Sequence, residues 1–116
     1  MNNESIAKLV TYNLENITVI EIEGNIQQTE SEELEEILHL FYEEKKVNIV
    51  IDMKKVSNIC SSALGLMVNY KKLLNENGGD LKMVINSPQV FELFKITMMD
   101  KVFDTLDNIQ EAENAF

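Results

Sequence analysis

The apolar residues of this chain fall into short runs whose spacing separates strands from helices. Val47, Ile49, Val50 and Ile51 form a compact, β-branched run that reads as a buried strand. Residues 52–58 are polar and read as a turn. Ile59, the small residues Cys60-Ser61-Ser62 and a long helical pattern come next. That pattern predicts a helix over about residues 62–76, with Leu64, Met67, Val68 and Leu74 inward and Lys71 and Lys72 facing water. Ser61 or Ser62 then lies at or beside the N-cap, where a hydroxyl can accept a bond from an unpaired backbone N–H. Gly65 weakens this helix by about 1 kcal/mol relative to alanine and is read as allowing a close helix–sheet approach. Asn77-Gly78-Gly79 ends it, one glycine suiting a left-handed residue past the C-cap.

The flanking segments complete an alternating order. Residues 6–12 and 17–23 are two β-type runs joined by Asn13-Leu14-Glu15-Asn16, a hairpin, and Gly24 is read as breaking the second. Thr29 and Glu32 have capping-box spacing, and Leu34, Ile37, Leu38 and Phe41 follow at helical intervals, so a helix is predicted over about 30–45. Leu81, Met83 and Ile85 mark a strand over about 80–85. Ser87-Pro88 has the N-cap and first-turn signature of a third helix, whose Val90, Phe91, Leu93, Phe94 and Ile96 suggest burial over more than one side. Met98-Met99-Asp100 reads as a turn, Val102-Phe103 as a short edge strand and 108–115 as a terminal helix. The order predicts one α/β domain over residues 1–116: a mixed sheet of four to five strands with helices packed mainly on one face.

Composition narrows the function classes. A chain of 116 residues can bury a core without disulfides or metals. One cysteine leaves no disulfide framework, which fits a reducing cytoplasm. No apolar run reaches membrane-spanning length and Met1-Asn2-Asn3-Glu4 has no signal-peptide pattern, so a cytoplasmic protein without membrane insertion is expected. A net charge of −10 argues against direct nucleic-acid binding. All ten cations are lysines, so the forked arginine donor used to clamp phosphates is missing. No paired histidines or carboxylates suggest a metal, and no glycine-rich phosphate loop follows a strand, so neither metal nor cofactor is expected. His39, alone on its helix, reads as a surface residue. Glu30, Glu32, Glu33, Glu35 and Glu36 read as a solvated face that can also attract a basic partner.

The segment after the central strand carries a resemblance. Cys60-Ser61-Ser62-Ala63-Leu64-Gly65 is similar to Asp-Ser-Ser-Gly-Leu-Gly, the central motif of the STAS domain, the family of bacterial anti-sigma factor antagonists. Gly24-Asn25-Ile26-Gln27 resembles that family's Gly-x-Leu-Asp step, with Gln27 where the family has aspartate. The resemblance implies a non-enzymatic binding module. Its partner would be an anti-sigma factor with serine kinase activity, which would phosphorylate Ser62, and a metal-dependent serine phosphatase would reverse that. Gln27, Cys60, Ser61, Ser62, Ala63 and Leu64 would form the partner-binding surface. From position alone Ser62 reads first as a structural cap, since serine caps are common, and the resemblance is what favours phosphorylation. The departures Cys60, Ala63 and Gln27 keep open an alternative, a phosphorylation-independent scaffold or transporter-associated subunit. A catalytic role for Cys60 would need the arginine of cysteine phosphatase loops six residues on, where Leu66 stands. A response-regulator receiver would need an acidic pair where Gly24-Asn25 stands.

Overall fold

The computed structural model describes residues 8–116. The elements are β1 (Lys8–Asn13), β2 (Thr18–Ile26), α1 (Gln28–Glu43), β3 (Asn48–Ile59), α2 (Ser61–Glu76), β4 (Asp80–Val84), α3 (Pro88–Ile96), a single 3-10 turn (Met99–Lys101), β5 (Thr105–Leu106) and α4 (Ile109–Asn114). The start of the first expected strand, Ile6 and Ala7, lies outside the described residues. The sheet order is β1-β2-β3-β4-β5, with β1 antiparallel to β2 and the other pairs parallel. This is the expected mixed sheet, with five strands.

The continuous apolar run at Val50 and its neighbours is what a strand covered on both faces requires. Ile49 and Ile51 join Ile20, Ile22, Leu81 and Met83 against Leu34, Leu38, Met67, Leu74, Val90 and Phe94 of α1, α2 and α3. Val50 points the other way, with Ile17, Val19 and Val84, and meets Ala112 of α4. Three helices therefore share one face, and the short terminal helix covers part of the second.

Several predicted boundaries move, and the reasons are physical. The turn expected at 52–58 is instead the second half of β3, which runs to Ile59 with Met53, Val56 and Ile59 buried. Past Asp52 this strand leaves β4 behind and pairs only with β2. Its apolar residues fall every third position, which does not read as a strand. Register shifts at Glu21/Glu23 and Gly24/Asn25 absorb the mismatch. Gly24, at φ 103°, is thus a bulge residue inside β2 and not its end. Because β2 runs to Ile26, α1 starts at once. Its N-cap is Gln27, not Thr29, and Glu30 closes the first turn by accepting the Gln27 N–H at 2.9 Å.

At its other end α1 stops at Glu43, short of Lys45, which takes a left-handed φ of 63°. The edge strand expected at Val102-Phe103 lies at Thr105–Leu106, and Phe103 is instead buried beside Phe94, their ring centroids 6.3 Å apart. α3 buries essentially one side: Val90 and Phe94 are inward, while Phe91 and Ile96 are exposed.

Lys71, expected in water, instead pairs with Asp80 at the start of β4. The same carboxylate accepts bonds from Asn75 at 3.0 Å, the Leu81 N–H at 2.8 Å and Lys82 at 3.1 Å, and Lys82 also donates to Asp104 at 2.8 Å. Burial alone would raise the Asp80 pKa, but the bonds from Lys71, Asn75, Leu81 and Lys82 outweigh it and hold the carboxyl at about 2. A folded-state value below the ordinary 3.8 means stability that is fully present above the ordinary value and lost as pH falls toward about 2. Asp80→Asn should therefore cost about 1 kcal/mol at neutral pH, allowing for solvent screening. Denaturant titrations at pH 7, 4 and 2 should show the gap between the two proteins narrowing with acid. A gap independent of pH would contradict this assignment.

Candidate functional site

The site forms where two parallel strands end level. Ile26 and Ile59 are paired at the ends of β2 and β3, and each is followed by one extended residue, Gln27 or Cys60, that caps a helix. The Cys60 N–H donates to the Ile26 carbonyl at 2.9 Å, which locks the two crossings together. The N-termini of α1 and α2 therefore emerge side by side, each with unpaired N–H groups and partial positive charge facing outward.

Ser62 lies at the second position of α2, exposed. It is not the helix cap: Cys60 occupies that place, and no side-chain bond caps the helix. The Ser62 hydroxyl instead points across to α1. Its contacts are Gln28 Oε1 at 3.0 Å, Cys60 Sγ at 3.2 Å and Ser31 Oγ at 3.5 Å. Gln28 is exposed, Cys60 half-buried and Ser31 buried. Gln28, Ser31 and Ser62, together with Glu32, Glu35, Gly65, Leu66 and Asn69, border an open groove between α1 and α2. None of the hydroxyl's three contacts is a base, so the site presents a neutral hydroxyl and does not activate it as a nucleophile.

The other expected site residues separate into two layers. Ser61 and Gln27 are exposed beside Ser62. Ala63 and Leu64, expected at the partner surface, are buried in the main core, so the Ala63 methyl packs inward and does not crowd the hydroxyl. His39 is exposed near Glu43, 3.9 Å away, as a surface residue would be. The acidic residues Glu32, Glu33, Glu35 and Glu36 are likewise exposed on α1. Further along the α1–α2 seam, burial first and then Glu35 and Glu43 push the Tyr70 phenol upward. Among the described residues no group of three or more His, Cys, Asp or Glu is placed to hold a metal, and no helix is long and apolar enough to cross a membrane.

Sequence reasoning named Gln27 and missed Gln28 and Ser31, the α1 residues that reach Ser62. With the helix start placed at Gln28, residues 28, 31, 32 and 35 fall on one face at helical spacing, and that face borders the groove. Starting the helix two residues late concealed the signal.

The fold and site define a small α/β module with an exposed hydroxyl at paired helix N-termini. The chain belongs to the STAS domain family, whose profile matches residues 8–112. It is 31% identical over 78 residues to the anti-sigma-B factor antagonist of Staphylococcus aureus, covering 67% of this chain and 72% of that protein. An anti-sigma factor antagonist from Mycobacterium paratuberculosis has the same fold, with a TM-score of 0.86 at 18% identity over 99% of this chain and 97% of the other. So does the anti-sigma factor antagonist SpoIIAA in its unphosphorylated form, with a TM-score of 0.77 at 18% identity over 90% of this chain and 92% of that one.

Gly65 is the part of the motif that packing does not explain. A Cβ built there meets nothing within 4 Å, so no close helix–sheet approach demands glycine, contrary to the expectation from sequence. The residue that does need close approach is Gly79, where a Cβ would collide with the Val47 carbonyl. Gly65→Ala should therefore stabilise the fold by about 1 kcal/mol through helix propensity, read as a raised Tm. A lower Tm would show that the position is sterically restricted.

Proposed function

We propose that this chain is an anti-sigma factor antagonist that binds an anti-sigma factor through the paired starts of α1 and α2. That partner is a serine kinase, and its phosphorylation of Ser62 ends the binding. A metal-dependent phosphatase restores it. The observation that carries the reading is the Ser62 hydroxyl, exposed and bonded to side chains of a neighbouring helix and not spent on capping its own. The similarity to an antagonist at 31% identity supports the partner class. Gln27, Cys60, Ser61 and Ser62 form the contact surface, and Ala63 and Leu64 hold it from beneath. The acidic outer face of α1 would steer a basic partner surface toward the site.

The energetics favour a switch. An interface fitted around a neutral hydroxyl must desolvate whatever replaces it, and an unpaired anion there costs several kcal/mol when buried. Outside the complex the same phosphate is tolerated, because two helix N-termini face it. Gln27 and Cys60 stand where the family motif has aspartates, and this favours a second reading, a phosphorylation-independent scaffold or transporter-associated subunit. Removing a surface carboxylate about 5 Å from a phosphate relieves only about 1 kcal/mol of repulsion, so these replacements do not by themselves abolish the switch.

The two readings separate on incubation with the serine-kinase anti-sigma factor of the same organism and ATP, followed by mass-spectrometric mapping. Phosphate on Ser62 with affinity reduced about 10- to 100-fold is expected. Ser62→Ala should bind and resist phosphorylation, and Ser62→Asp should weaken binding by a smaller factor. Tight binding with no phosphate on the chain would overturn the switch and favour the scaffold.

A further inference from the structure

We propose that Gln28 is the positioning residue for the Ser62 hydroxyl and that its carboxamide reverses when Ser62 is phosphorylated, carrying the state of α2 to the outer face of α1. The inference rests on Ser62 being the phosphoacceptor.

The proton arrangement follows from chemistry. Glu32 Oε2 lies 3.2 Å from Gln28 Nε2, and a carboxylate can only accept, so the amide nitrogen must face it. Gln28 Oε1 is then the atom that faces Ser62, at 3.0 Å, and an amide oxygen can only accept. The single proton of Ser62 is therefore committed to Gln28. The Cys60 thiol at 3.2 Å then donates to the same oxygen, and the Ser31 oxygen, at 3.5 Å, is too distant an acceptor to compete for that proton. Gln28 thus fixes the direction of the Ser62 O–H bond and, with it, the directions of the oxygen's two lone pairs.

Phosphorylation removes the reason for this arrangement. The Ser62 oxygen forms a bond to the γ-phosphorus of a nucleoside triphosphate, the nucleoside diphosphate leaves with the electrons of the broken P–O bond, and the hydroxyl proton passes to a base of the kinase. The ester oxygen has no proton, so Gln28 Oε1 would face an acceptor at hydrogen-bond distance and next to it a phosphate of about −1.5 to −2 charge. Rotating the carboxamide by half a turn presents Nε2 to the phosphate. It also presents Oε1 to Glu32, where two acceptors repel, so the Gln28–Glu32 bond is lost. The α1 carboxylates bordering the groove are Glu32 and Glu35, and the Cys60 thiol lies on the α2 side. Among the described residues no cation borders this groove, and of its two amide side chains, Gln28 and Asn69, Gln28 is the one already bonded to Ser62 and so placed to donate to the phosphate. The relay needs no backbone movement, because both partners of Gln28 are side chains within reach of one rotation.

The test uses the full chain with phosphoserine encoded genetically at position 62, so no kinase enters and a failed kinase assay leaves it intact. Side-chain amide NMR should show the Gln28 Nε2 protons shifting on phosphorylation and titrating with the phosphate near pH 6. Phosphorus NMR should give a second phosphate ionisation that rises from wild type to Gln28→Ala, by a few tenths of a pH unit, and further in Gln28→Glu, where a carboxylate replaces the donor. Gln28 is exposed, so neither variant threatens the fold. Equal phosphate midpoints in all three proteins, or an unmoved Gln28 amide, would overturn the relay.

Discussion

The structure depends on the pairing of β2 with β3 beyond the point where β4 stops. The last register pair, Ile26 with Ile59, and the Cys60 N–H bond to the Ile26 carbonyl bring two strand ends level. One residue then separates each strand from its helix, so the two N-termini must emerge together. The pairing requires the bulges around Gly24, because the apolar side chains of β3 fall every third residue there and only a shifted register buries Met53, Val56 and Ile59. A shorter strand would leave the helix starts apart, and the Ser62 hydroxyl would face water and not Gln28.

The rest of the fold supports that junction from a distance. The apolar contacts of α1 and α2 with the sheet hold both helix axes, and Ala63 and Leu64 anchor the first turn of α2 directly beneath the exposed serines. At the opposite end of α2 the Lys71–Asp80–Lys82–Asp104 cluster joins that helix to β4 and to the segment before β5. Gly79 lets the chain pass close to Val47 as β4 begins. The module is therefore packed where it is buried and leaves the polar side chains of the site, Gln27, Gln28 and Ser62, exposed, with Cys60 half-buried between them and the core.

Much of this was legible in the sequence. The apolar run at Val47 to Ile51 located the central strand, Ser87-Pro88 marked the start of α3, and the Ser61-Ser62 pair carried the family resemblance that the profile match bears out. What the sequence concealed shares one cause. A bulged strand loses its two-residue period, so the second half of β3 read as a turn and Gly24 read as an end. That error displaced the start of α1 by two residues and hid Gln28 and Ser31. Lys71 was misplaced for another reason, since its partner Asp80 comes from the next strand and no local pattern shows such a contact. Gly65 was read as a packing glycine because sequence cannot distinguish a crowded position from an empty one.

The central claim is that recognition occurs at the paired helix starts. Backbone amide NMR during titration with the proposed partner, an anti-sigma factor with serine kinase activity, tests it most directly. The account predicts the largest shifts at Gln27, Gln28, Cys60, Ser61 and Ser62, with Val19, Val50, Val84 and Ala112 on the opposite face unchanged. Shifts centred on α4 or the outer edge of β1, with the Ser62 region unmoved, would contradict it.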